Sequence, residues 1–465
     1  MSLLKQEFLF KFGVGSLSSL REKLLKDLSH EHFAVLLAKT EKGNIVTICN
    51  VIDTRFFEKK DILEQSVASV RIRKEGIYES LTEIENRVDV DTIIDVHTHP
   101  FAGKSAFFSG IDDRDEAAFV RYLAEEFPGI HYGSVVLSQT EYSARMWENG
   151  KTSPSFTEAR IVSPLATERI PSSFFSLRED SWDEGRINDQ ESLFHRGTLA
   201  LGLDAMRRIV TNQRVAIVGV GGLGSIIAEN LVHYGFQNLH LIDNDTLSLS
   251  NLNRVVGATY VDAKTNRLKV EVIKKHLEKI NPEAQITAHA TDIRHADEEM
   301  RDILAVCDWA VVATDDHSSR FAVQNFCLQY FTPFISAGVN ITVDGGTVKD
   351  ISGEVITVRP GDNLCLNCLK RLDPQRIAEQ DHPDVGVREG LVERGYVSGL
   401  SVKEPAVKTL NSIIAAMAAD VLVNHYTERQ KHEPVWVYED NAGKYIYPDR
   451  ESVFMRSHNC YCRKF

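Results

Sequence analysis

From residue 213 to residue 243 the chain reads QRVAIVGVGGLGSIIAENLVHYGFQNLHLID. An unbroken apolar run meets clustered glycines, then an apolar segment of helical length, then a second apolar run that ends on an acid. Strands that are apolar on both faces belong to parallel sheets covered by helices. Glycines at the strand-to-helix junction allow a tight turn and close backbone approach. The stretch therefore predicts the start of a doubly wound, Rossmann-like α/β sheet. A helix from about residue 188 leads into it, a helix over 265–280 follows, and LAVCDWAVVATDD (304–316) reads as a later buried strand.

The first 150 residues have a different pattern. SLSSLREKLLKDLS (16–29) carries leucines at helical spacing, and HFAVLLA (32–38) and NIVTICNVI (44–52) read as strands. Residues 62–87 read as helix, DTIIDVHTH as a strand, DDRDEAAFVRYLAEEF as a helix with an acidic first turn, and YGSVVLS and YSARMWE as strands. This predicts a compact α/β domain over 1–150. Residues 151–187, rich in Ser, Pro and charge, read as a linker, and 188–465 as a second domain.

The net charge of −13 argues against a nucleic-acid or anionic-membrane surface. No apolar run approaches the roughly 18 residues of a membrane span, and the N-terminus lacks the features of a signal peptide. A cytoplasmic protein is expected. Four of its seven cysteines fall in close pairs, Cys365/Cys368 and Cys460/Cys462, which predicts a structural zinc held by four thiolates. The second pair is CxC, which leaves room for a ligand such as His458. Cys49, Cys307 and Cys327 sit in apolar contexts and read as core residues.

DVHTHPFAGKSAFFSGID (95–112) gathers two imidazoles, a hydroxyl and a carboxylate at a strand end. In a strand, residues two apart face one side, so His97 and His99 point together. Asp112, at a helix entrance, can fold back as a third ligand. Three ligands and one open position are the catalytic zinc arrangement. A carboxylate base would complete such a site, and Ser109 is placed to hydrogen-bond a developing oxyanion. The stretch resembles the JAMM metallopeptidase family through HxHP followed by SxxD. That resemblance implies a cytidine-deaminase-like α/β domain that cleaves bonds after ubiquitin-like C-termini. It also implies that Glu31, before the strand HFAVLLA, is the general base.

In the second half, Gly219, Gly221, Gly222 and Gly224 form a phosphate-loop pattern, and Asp243 is placed to bond a ribose. Asn251 and Arg254 in SNLNR, Lys269 and Asp315 follow. A cationic and acidic set around such a loop suits ATP and a divalent ion better than a dinucleotide. This half resembles the ThiF/MoeB/ubiquitin-activating enzyme family. The resemblance implies that Arg254 and Lys269 bind ATP phosphates, that Asp315 holds magnesium, and that Arg196 reaches the nucleotide of the other subunit in a homodimer. It implies adenylation of the C-terminal Gly of a ubiquitin-like or sulfur-carrier protein. The thioester cysteine of such relatives has no counterpart, because no cysteine lies between Cys368 and Cys460. The acceptor is then a conjugating enzyme, a sulfur donor or an amide nitrogen. The two resemblances together imply a bifunctional peptidase and adenylyltransferase. Sulfur-carrier activation for cofactor synthesis is the alternative, and a non-catalytic scaffold subunit paired with a cysteine-bearing partner is a third reading.

Overall fold

In a computed structural model the chain forms two compact units, Met1–Trp182 and Asp183–Lys464. The structure describes residues 7–66, 69–100, 106–148, 154–165, 168, 170, 172–173, 192–210, 213–344, 347–381, 407–441, 443–457 and 459–464. His458 lies outside them, as does most of the expected linker.

The first unit is built on seven strands: β1 (Glu7–Lys11), β2 (Phe33–Lys42), β3 (Val46–Phe56), β6 (Thr92–Thr98), β7 (His131–Leu137), β8 (Tyr142–Glu148) and β9 (Ser155–Val162). They close into a barrel in the order β1-β3-β2-β6-β7-β8-β9, because β1 pairs with both β3 and β9. Strand β9 falls inside the stretch read as a linker, so this unit runs well past residue 150. Residues 62–87 are not one helix either. They form the hairpin β4 (Ile62–Ser66) and β5 (Ser69–Ile72), then the helix Lys74–Glu85.

Alternation along β2 separates two cores. Ala34, Leu36 and Ala38 pack with Leu17, Leu20 and Leu24 of the helix Ser16–Leu24. Val35 and Leu37 pack with Leu81, Ile84, Val120 and Leu123, under the helices Lys74–Glu85 and Gly110–Glu126. Strands β6 and β7 are parallel, and the Gly110–Glu126 helix lies between them in sequence, so its N-terminus starts near the carboxyl end of β6.

The second unit is an eight-stranded sheet. Its strands are β10 (Arg214–Val218), β11 (Asn238–Ile242), β12 (Gln285–His289), β13 (Trp309–Val312), β14 (Phe334–Asp344), β15 (Thr347–Val358), β16 (Val435–Glu439) and β17 (Tyr445–Pro448). The order is β12-β11-β10-β13-β14-β15-β16-β17, parallel through β14 and antiparallel beyond. Residues 304–306 of the expected later strand belong to the helix Glu298–Val306, and the strand itself is only Trp309–Val312. The region read as a helix over 265–280 holds a turn and then the helix Lys269–Ile280.

Arg145 on β8 is 2% exposed. Its guanidinium pairs with Asp113 at 2.6 Å and Glu116 at 2.8 Å, and stacks on the Phe108 ring at 3.7 Å. Removing one partner of a buried ion pair leaves an uncompensated charge. Arg145→Met is expected to destabilise the first unit by about 3–5 kcal/mol. Adding Glu116→Gln should recover part of the loss. Equilibrium denaturant unfolding of the single and double variants checks both expectations.

Candidate functional site

At the carboxyl end of β6, ligand atoms of His97, His99 and Asp112 lie within 4.8 Å of one another. His97 Nε2 is 3.6 Å from Asp112 Oδ1. That nitrogen is buried and has no hydrogen-bond partner among the described residues. A buried ring nitrogen left unpaired is costly unless something else takes its lone pair, and a metal ion does so. Burial pushes His97 down to about 4 and also lowers His99, which favours the neutral form that ligates metals. Two imidazoles and a carboxylate are a donor set that fits zinc.

Glu31 sits just before β2, 4% exposed, with its carboxylate 3.9 Å from His99 Nε2. Burial, reinforced by the negative charge of Asp112, pushes its carboxyl up to about 7. Its backbone is fixed by the β4–β5 hairpin: its N–H donates to the Ser66 carbonyl at 2.9 Å, and Gln65 Nε2 donates to its carbonyl at 2.7 Å. Sequence patterning missed that hairpin, and with it the support of Glu31.

Ser109 caps the Gly110–Glu126 helix. Its Oγ accepts the N–H groups of Ile111 and Asp112, while Asp112 Oδ2 accepts the Ser109 N–H at 2.6 Å. SxxD is thus also a capping box. One carboxylate oxygen of Asp112 is spent on the helix end and the other faces His97. The Ser109 hydroxyl, as acceptor of both bonds, keeps its own hydrogen to donate.

In the second unit a cavity of about 770 Å³ opens at the carboxyl ends of β10, β11 and β13 and beside the middle of β14, where open α/β sheets bind ligands. It is lined by Gly219, Gly221, Gly222, Asp243, Asn251, Arg254, Lys269 and Asp315 together. Gly224 stands behind it. A Cβ there would lie 1.8 Å from the Gly219 carbonyl oxygen, so only glycine lets the helix Gly224–Tyr234 start against the strand. A Cβ on Gly222 would lie 2.6 Å from Asn411 Nδ2 and 2.7 Å from the Arg254 stem. Bare backbone at 222 therefore lets both side chains close over the loop.

Asp243 accepts the Val220 N–H at 2.9 Å, which ties the strand end to the glycine loop. Its pKa is raised by burial. Lys269 opens its helix, buried, with Nζ 2.6 Å from Asp245 and 3.9 Å from Asp243. Asn251 accepts the Ser248 N–H at 2.9 Å and so holds the SNLNR turn. Arg254 donates to the Ser250 carbonyl at 2.7 Å. Arg196 is exposed and is not among the residues lining this cavity. Sequence reading missed Asp245, Asn411 and Arg320, which also line it. Asp245 was readable as the acid two residues past Asp243, but nothing local marks Asn411.

The sulfurs of Cys365, Cys368, Cys460 and Cys462 also lie within 4.8 Å of one another. Cys365 and Cys460 are 3.5 Å apart, too far for a disulfide and close to the edge of about 3.8 Å of a zinc–thiolate tetrahedron. Fully buried Gln324 ties the two cysteine segments together. Its oxygen accepts the Leu366 N–H at 2.7 Å, and its nitrogen donates to the Tyr461 hydroxyl at 2.6 Å. The four sulfurs fit a structural zinc. Cys49, Cys307 and Cys327 are buried, as expected.

The ThiF family model matches residues 195–463. The molybdopterin-synthase adenylyltransferase of Escherichia coli is 33% identical over 40% of this chain and 71% of its own length. The SUMO-activating enzyme subunit 2 of Dictyostelium discoideum is 30% identical over 38% of this chain. The ubiquitin-like modifier-activating enzyme 5 of Drosophila ananassae is 28% identical over 39% of this chain. This chain spans only 25% and 45% of the length of those last two relatives. A crystal structure of Escherichia coli MccB with AMPCPP and MccA superposes with a TM-score of 0.46 at 20% identity, covering 60% of this chain and 77% of that one. No described helix is long and apolar enough to cross a membrane. The family match spans more than half of the chain and includes the glycine loop, the cavity residues Asp243 to Asp315 and all four paired cysteines, so this chain belongs to the ThiF family.

Proposed function

We propose that the second unit uses ATP to adenylate the C-terminal Gly of a ubiquitin-like or sulfur-carrier protein. The observation that carries this reading is the single cavity that gathers the glycine loop, Asp243, Arg254, Lys269 and Asp315. A carboxylate oxygen of the carrier attacks the α-phosphorus. The bond from that phosphorus to the oxygen bridging the β-phosphate breaks, and pyrophosphate leaves. Lys269 and Arg254 stabilise the charge on the phosphates, and Asp243 positions the ribose. Asp315 would hold magnesium, which offsets phosphate charge. In this state Lys269 is paired with Asp245, so the nucleotide competes with that carboxylate. The absence of cysteine between Cys368 and Cys460 favours direct passage of the adenylate to an external acceptor: a conjugating enzyme, a sulfur donor or an amide nitrogen. The reading includes a cytoplasmic homodimer in which Arg196 reaches the nucleotide of the other subunit. The molybdopterin-synthase relative favours a sulfur carrier as the substrate, and the two modifier-activating relatives favour a ubiquitin-like protein.

The first unit, in the same reading, is a JAMM-type zinc peptidase that trims or releases that carrier. The buried Nε2 of His97, unpaired among the described residues, lies beside His99 and Asp112 and favours it. Zinc held by these three residues would supply an acidified water. Glu31 takes a proton and delivers it to the leaving amine, and the Ser109 hydroxyl donates to the developing oxyanion. Both activities then act on one flexible C-terminal tail.

Asp315→Ala is expected to lower carrier-dependent ATP–pyrophosphate exchange by about 10²–10³-fold and to leave precursor cleavage intact. Glu31→Ala should do the reverse, with a loss of cleavage of about 10²–10⁴-fold. Exchange assays and intact-mass analysis of a carrier extended beyond its Gly-Gly read the two activities separately. A single substitution that silences both would contradict two independent sites. Cys365→Ser with Cys368→Ser should remove one zinc per chain and lower the unfolding temperature of the second unit, as checked by elemental analysis and calorimetry.

A further inference from the structure

Immediately before β2 the chain reads DLSHEH (27–32). Glu31 points inward to His99, and its two histidine neighbours gather on the outside with Asp27. Ligand atoms of Asp27, His30 and His32 lie within 4.8 Å of one another, and the two imidazole centroids are 5.2 Å apart. The Ser29 hydroxyl is 2.6 Å from both Asp27 Oδ1 and His30 Nδ1. With Nδ1 engaged there, Nε2 is the ring nitrogen left to ligate, and it lies 3.4 Å from Asp27 Oδ2. Two ligands of a tetrahedral zinc at ordinary bond lengths are about 3.3 Å apart. His32 Nε2 turns back to the carbonyl oxygen of Asp27 at 3.0 Å. A hydrogen bond to the ring nitrogen that does not ligate is the usual support of a metal histidine, and the Ser29 hydroxyl supplies one to His30.

We propose that Asp27, His30 and His32 form a second zinc site on the surface of the first unit, distinct from the His97 cluster, and that the bound ion stiffens the segment that presents Glu31. Two imidazoles and one carboxylate leave a position open to solvent, and this donor set selects zinc over magnesium or calcium. The path to the inner cluster is short. The His32 N–H donates to Thr98 Oγ1 at 2.9 Å, and the Thr98 N–H donates to the His32 carbonyl at 3.1 Å. Thr98 stands between His97 and His99. An ion that clamps 27–32 from outside thus restrains the base and the strand end that carries two inner ligands. Metal occupancy is the primary readout, so the site stands or falls without reference to peptidase activity.

The test uses the full-length protein dialysed against buffered micromolar zinc, with zinc per chain counted by elemental analysis. His30→Ala with His32→Ala is expected to hold one zinc fewer than the parent, and His97→Ala with Asp112→Asn is expected to keep that outer zinc. Amide hydrogen exchange of 27–33 should slow on adding zinc to the parent and to the His97 variant, and not to the His30 variant. Asp27→Asn changes only an exposed carboxylate, so it covers the case in which the double histidine variant does not fold. Losing that ligand should weaken the outer zinc by roughly tenfold or more. Equal zinc content in the parent and the His30 variant, unchanged affinity in Asp27→Asn, or an outer zinc that binds only at millimolar concentration would each overturn the proposal.

Discussion

The pairing of β6 with its two neighbours is the interaction on which the first unit depends. Strand β2 runs antiparallel to it from Phe33 opposite His97 to Ala38 opposite Thr92, and β7 runs parallel from His131 to Leu137. Both ladders end at the same level, and the chain continues through His99 into the loop before the Gly110–Glu126 helix. Because β2 is antiparallel, its first residues lie beside the last residues of β6. Glu31 and His32 are therefore neighbours of His97, Thr98 and His99, although more than sixty positions separate them in sequence. The same geometry brings the exposed Asp27–His32 face within one hydrogen bond of the inner cluster.

The second unit reaches a similar result with parallel strands alone. Apart from His240, strands β10, β11 and β13 are apolar through their middles, and their other polar residues lie at the ends. Those ends become the cavity floor. The cost is a set of buried charges, and the structure balances them locally. Lys269 is held by Asp245, and Asp243 by the Val220 N–H and by Lys269. A ligand rich in phosphate would enter a pocket whose cations are already oriented, which spares reorganisation when charge develops.

Short-range chemistry was readable along the chain. The glycine loop, the HxHP…SxxD spacing and the close cysteine pairs each place chemically suited residues within one turn or one strand end, where local geometry leaves little choice. Strands β2, β3, β7, β8, β10 and β11 announced themselves by continuous or alternating apolar residues. The failures share a cause. Strand β9 is amphiphilic and borders a polar stretch, so only its pairing with β1 and β8 makes it a strand. The β4–β5 hairpin is largely exposed, and its residues carry helix-compatible spacing until Arg73. For both, partner strands decided the conformation where propensity did not.

Local sequence alone determined which candidate ligand and loop residues fall close together, because a ligand set or phosphate loop needs particular atoms at particular short spacings. It also offered a second close cysteine pair to complement the first. Tertiary structure alone decided how those pieces meet. Closure of β1 on β9 made the first sheet a barrel, Gln324 tied together cysteine segments more than ninety residues apart, and Asn411 came to the glycine loop from a helix far down the chain. Contacts of that kind carry no local periodicity. They form because a backbone edge or a buried polar atom must find a partner somewhere in the folded chain, and only the complete packing fixes which partner is within reach.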